Sequence, residues 1–167
     1  NNELNVVTNN GDVIADVDSA LASLGDRTIP AFYVSDTETA DTLCNYLYLN
    51  DVIDACVVSD DAEVLKKVRE NDRLIRTVLD FSGKTLTEDD LYTVRANTNL
   101  AGARVCILPK NLVSKKNVEY LQRLLMAVWV TADETPAGIV GAITSGASGI
   151  ITQDVPSLIG AYTDYFN

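Results

Sequence analysis

Short β-branched runs alternate along the chain with segments whose apolar residues recur at helical spacing, the signature of successive parallel βα units. Strands are expected over Thr28 to Ser35, Asp54 to Ser59, Ile75 to Phe81, Arg104 to Leu108, Met126 to Thr131 and Gly149 to Thr152. Between them lie helical stripes such as Val64, Leu65, Val68, then Val118, Leu121, Leu124, and Ile139, Val140, Ile143. Each strand is followed by one helix, which makes six βα units over residues 28–167. Runs such as Ala55-Cys56-Val57-Val58 are continuously apolar, so both faces of the sheet are expected to be buried. Ala31-Phe32-Tyr33-Val34-Ser35-Asp36 and Ala55-Cys56-Val57-Val58-Ser59-Asp60 share a pattern that either an internal duplication or convergence of βα units produces.

The first 27 residues break the rhythm. Leu4 to Thr8 and Asp12 to Ala15 flank Asn9-Asn10-Gly11, a hairpin signal because Asn and Gly tolerate the positive φ of a tight turn. A short helix over Val17 to Leu24 should end at Gly25. No linker rich in Pro, Gly or Ser interrupts the chain, so a single domain over residues 1–167 is expected. Its architecture is an α/β, TIM-barrel-like arrangement of parallel strands, with an open doubly wound sheet as the competitor that periodicity cannot separate from it.

Composition narrows the chemistry. With 47% apolar and 22% charged residues the chain has enough apolar matter for a core, which excludes intrinsic disorder. A net charge of −11 sets it against phosphate backbones and anionic lipid, so nucleic acid is not an expected partner. There is no histidine, which removes the usual proton-transfer group near neutral pH and the commonest metal ligand. Cys44, Cys56 and Cys106 have neither zinc-site spacing nor the density of a disulfide framework, and read as buried thiols. No apolar run reaches the roughly 20 residues that span a bilayer. The chain opens Asn1-Asn2-Glu3, which fits either removal of a secretory signal, and hence an extracytoplasmic protein, or excision from a longer product.

Polar residues gather just after the strands: Ser35-Asp36, Ser59-Asp60-Asp61, Asp80, Lys110, Asp133 and Asp154. In parallel α/β folds this is the rim on which sites are built. Most of these positions also suit helix capping. Asp60 with Glu63 forms a capping-box pattern, Asp133 and Asp154 precede helices carrying Pro136 and Pro156, and Ser114 can cap its helix. Ser82-Gly83-Lys84-Thr85 lacks the first glycine of a phosphate loop, since that position is Val78 within a strand. Gly146-Ala147-Ser148-Gly149 precedes a strand, where a dinucleotide fingerprint would follow one. Trp129 sits in an apolar strand, where its indole fills core or looks into a pocket. A binding module for a small polar ligand would use Ser59, Asp80, Lys110 and Trp129. An all-carboxylate metal site would draw on Asp36, Asp60, Asp80, Asp133 and Asp154.

Two stretches carry a family resemblance. Ser59-Asp60-Asp61-Ala62-Glu63-Val64-Leu65-Lys66-Lys67-Val68-Arg69 is similar to a strand end and helix of the S-F-D-P-E-V-L-K-x-V-R type. Further on, Asn117 to Leu121, then Val128-Trp129-Val130-Thr131-Ala132-Asp133-Glu134, then Gly146-Ala147-Ser148-Gly149-Ile150-Ile151-Thr152-Gln153-Asp154-Val155-Pro156 echo an ending with V-W-T-V-N-D-E and G-V-D-G-I-I-T-D-x-P, in that order and spacing. Together they resemble the glycerophosphodiester phosphodiesterase family over roughly Thr28 to Phe166. The resemblance implies a TIM-type barrel and, in complete members, two catalytic histidines with acidic residues holding a divalent metal. The His-Arg-Gly, Glu-Asn-Thr, Glu-x-Asp and Glu-x-Lys motifs are absent, and the last is replaced by Ala31-Phe32-Tyr33-Val34-Ser35. Only Trp129 carries over, as a residue of the substrate groove. The resemblance thus implies a degenerate, non-catalytic domain without a cofactor, similar to the accessory domain preceding a catalytic barrel in some bacterial two-domain phosphodiesterases. Its expected partner is that barrel on the same polypeptide.

Overall fold

The computed structural model describes residues 4–8, 10–25 and 28–166. Contacts divide the chain into two compact units, Asn1–Thr77 and Val78–Asn167.

The first unit begins with a hairpin. Strands β1 (Asn5–Val7) and β2 (Val13–Asp16) pair antiparallel with a register shift after Val6. Thr8 organises the turn: its hydroxyl accepts from the amides of Asn10 and Asp12, and its carbonyl accepts from Gly11, whose φ of 87° suits glycine. Asn9 of the expected turn, like Asn1, Asn2 and Glu3, lies outside the described residues. Helix α1 (Val17–Leu24) starts at Asp16, whose carboxylate accepts from the Ser19 amide at 2.8 Å, and closes at Gly25 with φ 65°. Only Val17 of α1 is buried, and the Tyr46 hydroxyl ties the helix down by donating to Asp18.

Two βα units follow in this half: β3 (Ala31–Tyr33) with α2 (Thr37–Leu49), then β4 (Cys56–Ser59) with α3 (Ala62–Asn71). Strands β3 and β4 run parallel with Ala31 opposite Cys56. Asp36 caps α2 through the Thr39 amide, and Asp61 caps α3 through the Glu63 amide. Asp61 therefore takes the capping place expected of Asp60, which is exposed. The extended backbone continues one residue further before the helix begins. The two similar hexapeptides are correspondingly one residue out of step, since Ala31 pairs with Cys56 while the repeat pattern aligns it with Ala55.

Strand β5 (Arg76–Asp80) starts in the first unit, where the Arg76 amide donates to the Ala55 carbonyl, and continues into the second. There β5, β6 (Val105–Ile107), β7 (Ala127–Thr131) and β8 (Gly149–Ile151) pair side by side, all parallel and in chain order. Helices α4 (Leu91–Leu100), α5 (Lys115–Arg123), α6 (Pro136–Thr144) and α7 (Val155–Phe166) follow β5, β6, β7 and β8 in turn. Ser114 caps α5 as expected. Thr135 caps α6 through the Gly138 amide, leaving Asp133 for another contact.

Burial on both faces holds for β4, which is buried throughout. It fails in two ways elsewhere. β7 alternates, with Val128 and Val130 fully buried and Ala127, Trp129 and Thr131 half-buried. In β3 and β8, which among the described residues each pair on one side only, Ala31, Tyr33 and Ile151 are exposed. The three thiols are buried, and desolvation pushes Cys106 up to about 12. No helix among the described residues is long and apolar enough to cross a membrane.

Candidate functional site

Parallel register fixes which side chains share a face. Asp80 lies opposite Ile107, Ile107 opposite Trp129, and Trp129 opposite Gly149, so these four positions form one row across β5 to β8. Asp80 and Trp129 sit two strands apart, about 10 Å. Asp80, Trp129 and Gly149 of this row are half-buried, while Ile107 between Asp80 and Trp129 is buried.

Trp129 is placed by Gly149. A Cβ on Gly149 would lie 2.6 Å from the indole Cδ1 and 2.7 Å from Nε1, so the ring rests directly on the glycine backbone. A glycine inside a strand marks a close approach of this kind. The indole thus neither enters the core nor stands free; it covers β8 and keeps part of its surface open.

Asp80 ends β5, and its carboxylate accepts from the Ser82 amide at 2.7 Å, turning the chain out of the strand. Lys110, in the turn after β6, donates its ammonium to Asp133 after β7, and both side chains are largely exposed. Glu134 joins the ends of β7 and β8 by accepting from the Thr152 hydroxyl and from the Gln153 amide at 2.8 Å. This role is not legible from local pattern, since the partners lie 18 and 19 residues away. Asp154 caps α7, and its pKa is held below the ordinary range by the Ser157 hydroxyl and amide.

Of the four candidate ligand-binding residues, Asp80 and Trp129 share a sheet face and Lys110 stands on the rim beside them. Ser59, in the first unit, is fully buried and its hydroxyl accepts from the Asp61 amide at the start of α3. Four of the five aspartates considered for a metal are engaged elsewhere: Asp36 by the Thr39 amide and hydroxyl, Asp80 by the Ser82 amide, Asp133 by Lys110 and Asp154 by Ser157, while Asp60 is exposed. Among the described residues, no three Asp, Glu, Cys or His side chains come together as a metal-binding group.

No protein-family model matches the sequence, and no curated protein matches it. Solved structures do match. A glycerophosphoryl diester phosphodiesterase from Silicibacter pomeroyi DSS-3 aligns with a TM-score of 0.75 at 17% identity, covering 93% of this chain and 58% of that one. A glycerophosphodiester phosphodiesterase from Parabacteroides distasonis ATCC 8503 aligns at 0.73 and 11% identity, covering 98% of this chain and 70% of that one. The enzyme from Agrobacterium tumefaciens str. C58 aligns at 0.69 and 13% identity, covering 92% and 64%. The chain has a glycerophosphodiester phosphodiesterase-like fold. This phosphodiesterase-like fold is TIM-barrel-like, with six parallel strands and an antiparallel hairpin before them, which decides against the doubly wound alternative. At these identities the likeness is one of fold. The chain spans less than two thirds of the first and third of these structures.

Proposed function

We propose that the chain is a non-catalytic phosphodiesterase-like domain that acts by contact, its counterpart a catalytic barrel on the same polypeptide. The observation that carries this reading is the pairing of a complete loss of histidine with strand-end carboxylates already engaged in folding. Asp80 holds a turn, Asp133 holds Lys110, Glu134 ties β7 to β8, and Asp154 starts α7. Hydrolysis of a phosphodiester needs a group that moves a proton near neutral pH and a centre that neutralises charge at phosphorus. Each of these four acidic groups is instead engaged by a neighbour.

Assay of the chain with glycerophosphocholine and an aryl phosphodiester, with and without added Mg²⁺ or Ca²⁺, should give no turnover above the protein-free rate. Metal-dependent hydrolysis lost on Asp80→Ala would overturn the proposal.

A second reading, a module that binds a small polar ligand, draws on one feature: the partly open Trp129 on β7, the strand that Asp133, the partner of Lys110, follows. Quenching of Trp129 fluorescence by glycerol phosphate, abolished in Lys110→Met, would favour it over the contact role.

A further inference from the structure

Helices α6 and α7 hold between them a groove of about 630 Å³. Ile139 and Val140 of α6 and Ala161 of α7 make its wall apolar. Gly160, where an added Cβ would meet nothing within 4 Å, leaves the middle of the groove open. The carboxylates that line it are set apart, at the two ends of this apolar stretch. Glu134 and Asp154 lie where the two helices begin, and Asp164 lies near the end of α7. Asp154, Ser157, Ala161 and Asp164 follow one another at intervals of three or four residues and so share the face of α7 that lines the groove. The ten residues from Asp154 to Asp164 rise about 15 Å along the helix. No lysine or arginine is among the described residues that line the groove, and the sequence holds none after Arg123.

We propose that this groove binds a linear aliphatic cation with an ammonium group at each end, a long-chain diamine. Charge complementarity selects the ends. An ammonium has three donors and no acceptor, and each end of the groove offers carboxylate oxygens to receive them. Asp154 is ionised at neutral pH, since the Ser157 hydroxyl and amide hold its pKa below the ordinary range. Its two bonds to Ser157 leave lone pairs on both oxygens, and Thr135 adds a hydroxyl at the same end. The apolar wall selects what joins the ends. Methylenes laid along Ile139, Val140 and Ala161 leave water, whereas a charged middle would lose hydration against them. An extended chain advances ~1.2 Å per bond, so about a dozen bonds span the ~15 Å from Asp154 to Asp164. The inference goes beyond both readings above, for it uses neither Trp129 nor a partner barrel.

Isothermal titration calorimetry of the full chain should show 1,12-diaminododecane binding at least about tenfold more tightly than 1,4-diaminobutane, which reaches one end only. The long diamine should also bind more tightly than spermine, which has a similar span and twice the charge but carries amines in its middle. Attraction to the net charge of −11 alone would favour spermine, so spermine binding as tightly or more tightly would overturn the proposal. Equal binding of uncharged 1,12-dodecanediol would also overturn it. Asp164→Lys, with its fold checked by circular dichroism, should weaken the long diamine about tenfold and the short one by about twofold at most. An equal loss for both diamines would overturn the two-ended geometry. Asp89→Lys makes the same change of net charge outside the groove and should leave the long diamine's affinity unchanged. A loss there as large as in Asp164→Lys would reduce the effect to net charge and overturn the site. Turnover in the phosphodiesterase assay would remove the non-catalytic reading and leave this one standing.

Discussion

Replacing Gly149 by alanine should destabilise the protein only while Trp129 is present. The added methyl would lie 2.6, 2.7 and 3.0 Å from the indole Cδ1, Nε1 and Cγ. Ordinary carbon contacts lie at about 3.5–4.0 Å, so the ring has to retreat by roughly 1 Å. Overpacking of this kind costs about 1–3 kcal/mol. Working the other way, Gly149 does not have a positive φ, so alanine there lowers the entropy of the unfolded chain and stabilises by about 0.4–1 kcal/mol. The clash wins, and Gly149→Ala should cost a net ~1–2 kcal/mol. In a Trp129→Ala background the obstacle is gone, and the same change should become neutral or stabilising by about 0.5 kcal/mol. Urea unfolding followed by far-ultraviolet circular dichroism reports all four variants, since one pair lacks the tryptophan. The single variant should also shift Trp129 emission to longer wavelength as the ring is pushed outward. Equal destabilisation in both backgrounds would mean that the backbone, not the indole, demands glycine, and the account of how Trp129 is held would fall.

Leu125 has φ 62° and a side chain almost wholly in solvent, so Leu125→Gly should raise stability by about 1 kcal/mol, measured as a higher urea midpoint. The capping carboxylates of Asp16, Asp36 and Asp154, and that of Asp90, which accepts from the Thr87 amide and hydroxyl just before α4, all have pKa values lowered chiefly by the hydrogen bonds they accept. Their stabilisation is fully present above the ordinary aspartate value of about 3.9 and is lost as pH falls through the lowered folded values, so acid unfolding should set in below about pH 4. Stability that still fell between neutrality and about pH 5 would contradict this assignment. Cys106, pushed up to about 12 by burial, should resist alkylation in the folded state and react only at the rate of unfolding. Its contribution is present below the ordinary thiol value of about 8.5 and is lost as pH rises above it, because only the unfolded chain then ionises.

Much of the fold was legible because βα periodicity is a local property. All six strands and their helices lie where the apolar spacing puts them, and α1 runs over Val17 to Leu24 as expected. Sheet position is not local, and this is why the exposure of Tyr33 on β3 and Ile151 on β8 could not be read from their apolar runs. Capping was legible in kind but not always in place. Ser59-Asp60-Asp61 offers two carboxylates one residue apart, and only the observed backbone shows that Asp61 does the work. The candidate site divides in the same way. Asp80, Lys110 and Trp129 were visible as polar or aromatic residues at strand ends. The contacts that fix the rim, Lys110 with Asp133 and Glu134 with Thr152, join residues 23 and 18 apart and appear only once the strands are aligned. The burial of Ser59 was not legible, because a buried hydroxyl serving a turn has the same sequence signature as one facing a pocket.

The contact made by Glu134 also bears on how the protein resists self-association. β8 is a terminal strand, and a terminal strand offers unpaired backbone groups on which another chain can build a ladder. By holding the Thr152 hydroxyl and the Gln153 amide, Glu134 bends the chain out of the sheet immediately after Ile151 and leaves an edge of three residues. So short a template supports little cross-chain pairing. The same carboxylate that completes the rim thereby acts as a guard against aggregation at the sheet's open margin.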